Sequence, residues 1–197
     1  MLVAGELDRL RVVLASASPR RRELLGLLGL RLEVIPSAFE EDLDKAAFPG
    51  AAAYAVETAT HKAIEVAGRT FGAAGPADLV IGADTVVEDP SGAVLEKPAD
   101  RAEAVRMLAG LSGRKHRVHT GVCLVFPKVA DPKLGKQPYV RQLSETTVVE
   151  FDALRQEVME AYVDTGDPMD KAGGYGIQGA AGSFVKGIEG CYFNVVG

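Results

Sequence analysis

The chain has 197 residues, of which 47% are hydrophobic and 25% are charged, a balance that is typical of a folded globular protein. Its formal net charge of −5 argues against binding to nucleic acid or to an acidic membrane surface. No apolar run approaches the roughly 18 residues of a membrane span, and residues 1–10 lack the apolar core of a signal peptide. We therefore expect a cytoplasmic protein with no nucleic-acid or membrane partner, in which Cys123 and Cys191 stay reduced.

The first predicted elements are a short strand at residues 11–14, a turn and the start of a helix. Ser18 is a favourable N-cap residue, because its hydroxyl can accept a hydrogen bond from a free backbone N–H. Pro19 then occupies the first helical position, where the missing N–H costs nothing. An apolar stripe is predicted on this helix by four residues, Leu24, Leu25, Leu27 and Leu28.

Three arginines, Arg20, Arg21 and Arg22, occupy the first turn of this helix. A helix N-terminus carries a charge of roughly +0.5, so each cation there is disfavoured by about 0.3–1 kcal/mol. The arrangement is favourable if an anion binds there, held by backbone N–H groups and guanidinium groups together. The alternative is a solvated basic helix end.

A second helix, rich in alanine, is predicted from Ala51 to Ala67 and is expected to end or fray at Gly68. The apolar run at residues 79–81 is typical of a central strand that is covered on both faces. Asp84 follows, and we expect it where this buried strand emerges. A carboxylate in that place can hold a divalent cation or deprotonate a water molecule, whereas the alternative is a turn-forming Asp.

Several other charged residues do not indicate a function when each is considered alone. Glu40, Glu41 and Asp42 form an acidic loop that is typically solvated, Lys62 is a surface residue of the alanine-rich helix, and Lys97 precedes a proline. Strands and helices alternate without a strict βαβ order. The pattern favours an α/β fold with a mixed sheet, flanking helices and two lobes around a cleft.

The stretch from Gly174 to Gly179 matches the pattern G-x-G-x-x-G, but we reject a dinucleotide-binding loop because no strand precedes it and no helix follows. A flexible backbone that passes close to a ligand is the better interpretation, with an irregular surface loop as the alternative. Gln178 can offer both a donor and an acceptor to the edge of a base.

Five segments resemble, in this order, the motifs of the Maf family of nucleoside triphosphate pyrophosphatases. They are Leu-Ala-Ser-Ala-Ser-Pro-Arg-Arg at 14–21, Ile-Gly-Ala-Asp-Thr-Val-Val at 81–87, Leu-Glu-Lys-Pro at 95–98, Leu-Ser-Gly-Arg at 111–114 and Pro-Met-Asp-Lys-Ala-Gly-Gly-Tyr-Gly-Ile-Gln-Gly at 168–179. The resemblance implies a twisted mixed sheet with flanking helices, as in the related inosine triphosphate pyrophosphatases. It also implies one Maf-like domain at residues 11–197 after an N-terminal extension at 1–10.

The resemblance also implies roles for individual residues. Ser16, Arg20 and Arg21 would hold the triphosphate, while Arg20, Thr85 and Gln178 match the branch that acts on dTTP and UTP. The reaction centre would be lined by four residues, Glu41, Lys62, Asp84 and Lys97. Asp84 would accept a proton, and with Glu41 it would bind a divalent cation, Mg²⁺ or Mn²⁺.

The implied reaction is hydrolysis of dTTP, UTP or modified pyrimidine nucleotides to the monophosphate and pyrophosphate by a homodimer. Two alternatives stay open, namely a non-catalytic nucleotide-binding module linked to division arrest and a pyrophosphatase for inosine or xanthosine triphosphate. The chain stops at Gly197, where the family usually continues with a closing helix. Residues 193–197 resemble the eukaryotic branch that is fused to a methyltransferase-like domain, so a further C-terminal domain is expected.

Overall fold

In the computed structural model, which describes residues 9–70 and 75–197, helices flank a seven-stranded sheet. The strands β1 to β7 are Val12–Leu14, Leu32–Val34, Leu79–Glu88, Val94–Leu95, Lys115–Phe126, Tyr139–Phe151 and Val185–Glu189. The helices α1 to α5 are Pro19–Leu27, Ala51–Thr70, Arg101–Leu111, Gln156–Asp164 and Tyr192–Val196. Of the predicted N-terminal extension, residues 1–8 lie outside the described part of the chain.

The strand order is β2-β1-β3-β5-β6-β7, with β4 paired to β3. β1 runs parallel to both β2 and β3, whereas β4 is antiparallel to β3 and β7 is antiparallel to β6. The predicted class, an α/β fold with a mixed sheet and flanking helices, is confirmed. β3 lies between β1 and β5, and its residues 80–84 are buried, as predicted for a central strand.

The described residues form two compact units. The first contains the described residues within Met1–Leu43 together with Ala55–Asp84 and Gly121–Ser144. The second contains Asp44–Tyr54, Thr85–Thr120 and Glu145–Gly197. No helix among residues 9–70 and 75–197 is long and apolar enough to cross a membrane.

In the first unit, helix α2 packs closely against the sheet through small residues. Ala59 and Ala63 are fully buried and lie against Gly82 of β3. A Cβ at Gly82 would overlap the carbonyl oxygen of Ala59 and lie 2.8 Å from the Cβ of Ala63, while a Cβ at Gly121 would overlap the backbone of α2. The two glycines therefore allow the helix to approach the strands closely.

We expect Gly121→Ala to lower the free energy of unfolding by roughly 1–3 kcal/mol, because the new methyl group has no space against Ala55 and Val56. Gly68→Ala, on an exposed part of α2 with nothing within 4 Å, is the matched control. It is expected to raise stability by about 0.5–1 kcal/mol through helix propensity. Urea unfolding of both variants measures the difference, and equal effects would contradict this account of the packing.

In the second unit, α3 and α4 pack on a core that includes an aromatic cluster. The ring of Phe151 lies edge-on to those of Tyr175 and Phe184, with centroids 4.8 and 6.1 Å apart. His116 packs against Phe151 and places Nε2 2.8 Å from the hydroxyl of Tyr175. Burial lowers the pKa of His116 from its ordinary 6.5 to about 4.

As the pH is lowered, we expect protonation of His116 to reduce the free energy of unfolding by up to about 3 kcal/mol. The unfolded chain binds a proton at this side chain near pH 6.5, whereas the folded chain resists it until about pH 4. This contribution is therefore fully present above pH 6.5 and is lost as the pH falls towards 4. Urea unfolding between pH 7 and pH 4 checks this expectation, because the pH dependence should be weaker in His116→Asn than in the wild type.

Two details of the sequence-based prediction are wrong. The predicted apolar stripe of α1 is covered only in part, since Leu25 packs against a buried cluster of β1 and β3 whereas Leu27 and Leu28 are 68% and 65% exposed. The second helix does not end at Gly68 but continues to Thr70. Val66, Ala67 and Thr70 are buried around this glycine, and their packing offsets its low helix propensity.

Candidate active site

The start of α1 is organised by hydroxyl groups that bind backbone and side-chain donors. Ser18 is the N-cap and accepts a hydrogen bond from the backbone N–H of Arg21 at 3.4 Å, as predicted. The hydroxyl of Ser16 accepts from the backbone N–H of Ser18 at 3.2 Å and from Nη1 of Arg21 at 3.1 Å. Because Ser16 is buried, it fixes one side of the Arg21 guanidinium group.

Arg21 also connects the helix start to the central strand. Its Nη1 donates a 2.8 Å hydrogen bond to the carbonyl oxygen of Ala83, the residue before Asp84. Burial lowers the pKa of the guanidinium group, and the charges of Asp84 and Glu41 act in the opposite direction. Since arginine remains charged in proteins, a partly buried cation is held next to the Asp84 backbone.

Lys62, Asp84 and Glu41 form the charged centre of the first unit. Nζ of Lys62 lies 2.8 Å from Oδ1 of Asp84 and 2.9 Å from Oε1 of Glu41. Lys62 is 8% exposed and Asp84 is 7% exposed, whereas the side chain of Glu41 is 46% exposed. The interpretation of Lys62 as a surface residue is therefore wrong, because its ammonium group is buried against a carboxylate from β3.

The strand register explains why Asp84 is available to this cluster. Leu14, the last residue of β1, pairs with Ile81 of β3. β3 continues beyond that point to Glu88, so Asp84 lies past the end of its parallel neighbour. The sequence predicts Asp84 where β3 leaves the sheet. The residue lies instead within β3, just beyond the point where the neighbouring strand β1 ends.

The predicted site residues of the second unit are Thr85, Lys97 and Gln178. The hydroxyl of Thr85 lies 3.0 Å from that of Thr120. Lys97 and Gln178 are exposed. Hydrogen bonds hold Glu96, directly before Lys97, and Gly176, two residues before Gln178. The structure brings Ser16, Arg21, Glu41, Lys62 and Asp84 together in the first unit; Arg20 is half-buried in the first turn of α1.

The sequence-based prediction missed the residues that hold the segment before Lys97. Oε1 of Glu96 accepts a 2.6 Å hydrogen bond from the buried hydroxyl of Tyr54, and Oε2 pairs with Nζ of Lys45 at 2.6 Å. The carbonyl oxygen of Glu96 accepts from the backbone N–H of Gly173 at 3.0 Å. No signal in the sequence could have found these partners, because each lies more than 40 positions away from Glu96.

The first unit therefore defines an α/β protein in which a helix start with hydroxyl and guanidinium donors accompanies a buried lysine–aspartate pair. A family model described as "Maf-like protein" matches residues 11–197. The chain belongs to the Maf family, and the predicted resemblance is confirmed.

Curated relatives agree with this assignment. The chain is 51% identical over 196 residues to a human protein named "Probable bifunctional dTTP/UTP pyrophosphatase/methyltransferase protein", covering 99% of this chain and 31% of that protein. It is 45% identical to a protein named "dTTP/UTP pyrophosphatase" from Desulforamulus reducens and 49% identical to one of the same name from Thermococcus gammatolerans. In both cases the match covers 94% of this chain and 89% of the relative.

Among solved structures, the chain is similar to the Ham1 protein of Staphylococcus aureus. The TM-score is 0.46 and the identity is 15%, over 72% of this chain and 71% of that one. This likeness is too weak to support a statement about function.

Proposed function

We propose that the chain hydrolyses nucleoside triphosphates between the α and β phosphates and releases the monophosphate and pyrophosphate. The observation that carries this proposal is the buried pair of Asp84 and Lys62, next to Arg21, which binds the carbonyl oxygen of Ala83. A base and two cations thus lie together in the first unit, as hydrolysis of a phosphoanhydride requires. The names of the three relatives support dTTP and UTP as substrates.

The start of α1 would bind the triphosphate. The dipole of this helix, which has nine residues, favours an anion at its start. Ser16, Arg20 and Arg21 add hydroxyl and guanidinium donors. Arg22 is exposed and would contribute only general positive charge.

Asp84 would act as the general base that accepts a proton from the attacking water. Lys62 donates a hydrogen bond to Oδ1 of Asp84, which fixes the orientation of the carboxylate. The second carboxylate oxygen would take the proton from the water. Lys62 also adds positive charge, which opposes the negative charge that develops on the leaving pyrophosphate.

The donor set fits a divalent cation such as Mg²⁺ or Mn²⁺. Oxygens of Glu41 and Asp84 approach the same ammonium group, so two hard carboxylate ligands converge in one place. No group of three or more His, Cys, Asp or Glu side chains suited to a metal is found in residues 9–70 and 75–197. Mg²⁺ is commonly bound by one or two carboxylates together with substrate phosphates and water, which is what Glu41 and Asp84 would provide. When bound, the cation would neutralise phosphate charge.

Base selection would involve Arg20, Thr85 and Gln178, which match the dTTP/UTP branch of the family. The carboxamide of Gln178 can pair with the N3–H group and a carbonyl oxygen of uracil or thymine. Family membership would give Lys97 a catalytic role as a further cation. The roles of Lys97, Thr85 and Gln178 rest on family membership.

A panel of nucleotides tests the proposal. Pyrophosphate release is measured with dTTP, UTP, CTP, GTP, ITP and XTP in the presence of Mg²⁺ or Mn²⁺. We expect kcat/KM for dTTP and UTP to exceed the values for ITP and XTP by about tenfold or more. Turnover that is confined to ITP and XTP would overturn the pyrimidine assignment, and tight binding without turnover would indicate a regulatory module.

A further inference from the structure

A second charged cluster lies in the second unit and has no role in the proposed reaction. Nζ of Lys171 donates hydrogen bonds to the carbonyl oxygen of Asp167 at 2.6 Å, to Oδ1 of Asp167 at 3.0 Å and to Oδ1 of Asp170 at 2.7 Å. The side chain of Lys171 is only 13% exposed. Its ammonium group therefore uses three donors locally, which leaves it poorly suited to bind a phosphate.

Tyr162 of α4 extends this cluster towards the glycine-rich loop. Its hydroxyl donates a 2.6 Å hydrogen bond to Oδ2 of Asp167 and accepts one from the backbone N–H of Gly176 at 3.2 Å. Tyr162 is 4% exposed, and burial raises the pKa of its hydroxyl, so the group stays protonated and can fill both roles. The hydroxyl thus links Asp167 directly to the loop backbone.

Gly176 is held on a second side by the stem of Lys171. A Cβ at Gly176 would lie 2.5 Å from Cε and 2.7 Å from Cδ of Lys171, so a larger residue would displace this side chain from its hydrogen bonds. The carbonyl oxygen of Gly176 accepts a hydrogen bond from the N–H of Gly179 at 3.1 Å, which closes a turn around Gln178. The backbone on both sides of Gln178 is therefore fixed, while its own side chain is exposed.

We propose that Tyr162, Asp167 and Lys171 are positioning residues that fix the backbone of Gln178 and thereby set the selectivity for the base. This inference rests on the proposed function, because it takes Gln178 to contact the base. A glutamine carboxamide on a flexible backbone reaches many places, so its contribution to selectivity depends on where its Cα is held. If one of these hydrogen bonds is lost, Gln178 is still present, but its carboxamide is no longer held in position for the base.

The test measures binding of α,β-methylene analogues of UTP and GTP, which resist cleavage, by isothermal titration calorimetry. In the wild type we expect the UTP analogue to bind more tightly. Tyr162→Phe removes only the hydroxyl and should reduce the ratio of the two affinities about fivefold, the typical effect of one lost hydrogen bond. Tyr192→Phe, at a side chain that is 43% exposed and outside the cluster, should leave the ratio unchanged.

A double-mutant cycle separates positioning from a general structural effect. Gln178→Ala should lower the same ratio, and adding Tyr162→Phe to it should cause no further loss, because the hydroxyl acts through Gln178. Asp167→Asn is a second probe of the cluster and should lower the ratio in the same direction. Thermal unfolding of each variant confirms that it is folded under the conditions of the titration.

Three results would overturn the inference: a wild type that does not prefer the UTP analogue, an unchanged ratio in folded Tyr162→Phe, or additive losses in the double variant. Failure of the proposed function is distinguishable from these results, since it shows as absent pyrophosphate release from UTP by the wild type. If the selectivity of binding depends on Tyr162 but no turnover is detected, the positioning role stands and the proposed pyrophosphatase activity fails.

Discussion

Asp84→Asn is expected to lower kcat for UTP by about 10³-fold while it leaves the affinity for the α,β-methylene analogue within about threefold of the wild type. The two side chains have nearly the same size, and the amide oxygen can still accept the hydrogen bond from Lys62. The amide cannot take a proton from water, so the general base is lost. Steady-state kinetics and calorimetry on the same preparations measure the two effects separately.

Asp152→Asn is the matched control for this change. Asp152 is an exposed carboxylate of the second unit, so its removal changes the net charge by the same amount. Its kcat and affinity should equal those of the wild type. Near-normal turnover in Asp84→Asn would remove Asp84 from the proposed role of base, and parallel losses of turnover and binding would make it a binding residue instead.

Arg21→Gln should lower kcat/KM about 10- to 100-fold, mostly through a higher KM, because the triphosphate loses a charge-assisted hydrogen bond. The guanidinium group is held by the hydroxyl of Ser16 and the carbonyl oxygen of Ala83, so it is already oriented before a nucleotide binds. A neutral glutamine is too short to keep both contacts and carries no charge for the phosphates. Initial rates over a range of UTP concentrations separate KM from kcat.

The neighbouring Arg22→Gln provides the control within the same helix turn. Arg22 is exposed, and the change removes the same charge at nearly the same distance from the N-terminus. Its kcat/KM should stay within about twofold of the wild type at 0.15 M salt, where exposed charges are screened beyond about 8 Å. Equal losses in both variants would show that the basic helix end acts only through its net charge.

The sequence predicted the features that depend on local chemistry. The Ser18–Pro19 start of α1 and the central strand β3 follow from residues that are close in the chain. Recognition of the family then named the residues of the first unit that the structure brings together. The cytoplasmic location and the homodimer stay predictions.

Features that depend on distant partners could not be predicted. Lys62 is typical of a surface lysine until its partner on β3, 22 positions away, is known. The leucines of α1 show the opposite error, because periodicity identifies an apolar face but not what covers it, and Leu27 and Leu28 are exposed. The hydroxyl of Tyr162 likewise reaches Gly176 only through the packing of α4 beside the loop.

The position of bond cleavage tests the central claim most directly. UTP is hydrolysed by the wild type in ¹⁸O-labelled water, and the products are identified by mass spectrometry. Attack of water at the α phosphorus predicts UMP and pyrophosphate, with one ¹⁸O atom in UMP. Formation of UDP and orthophosphate, or no turnover of UTP or dTTP at all, would contradict the proposed pyrophosphatase.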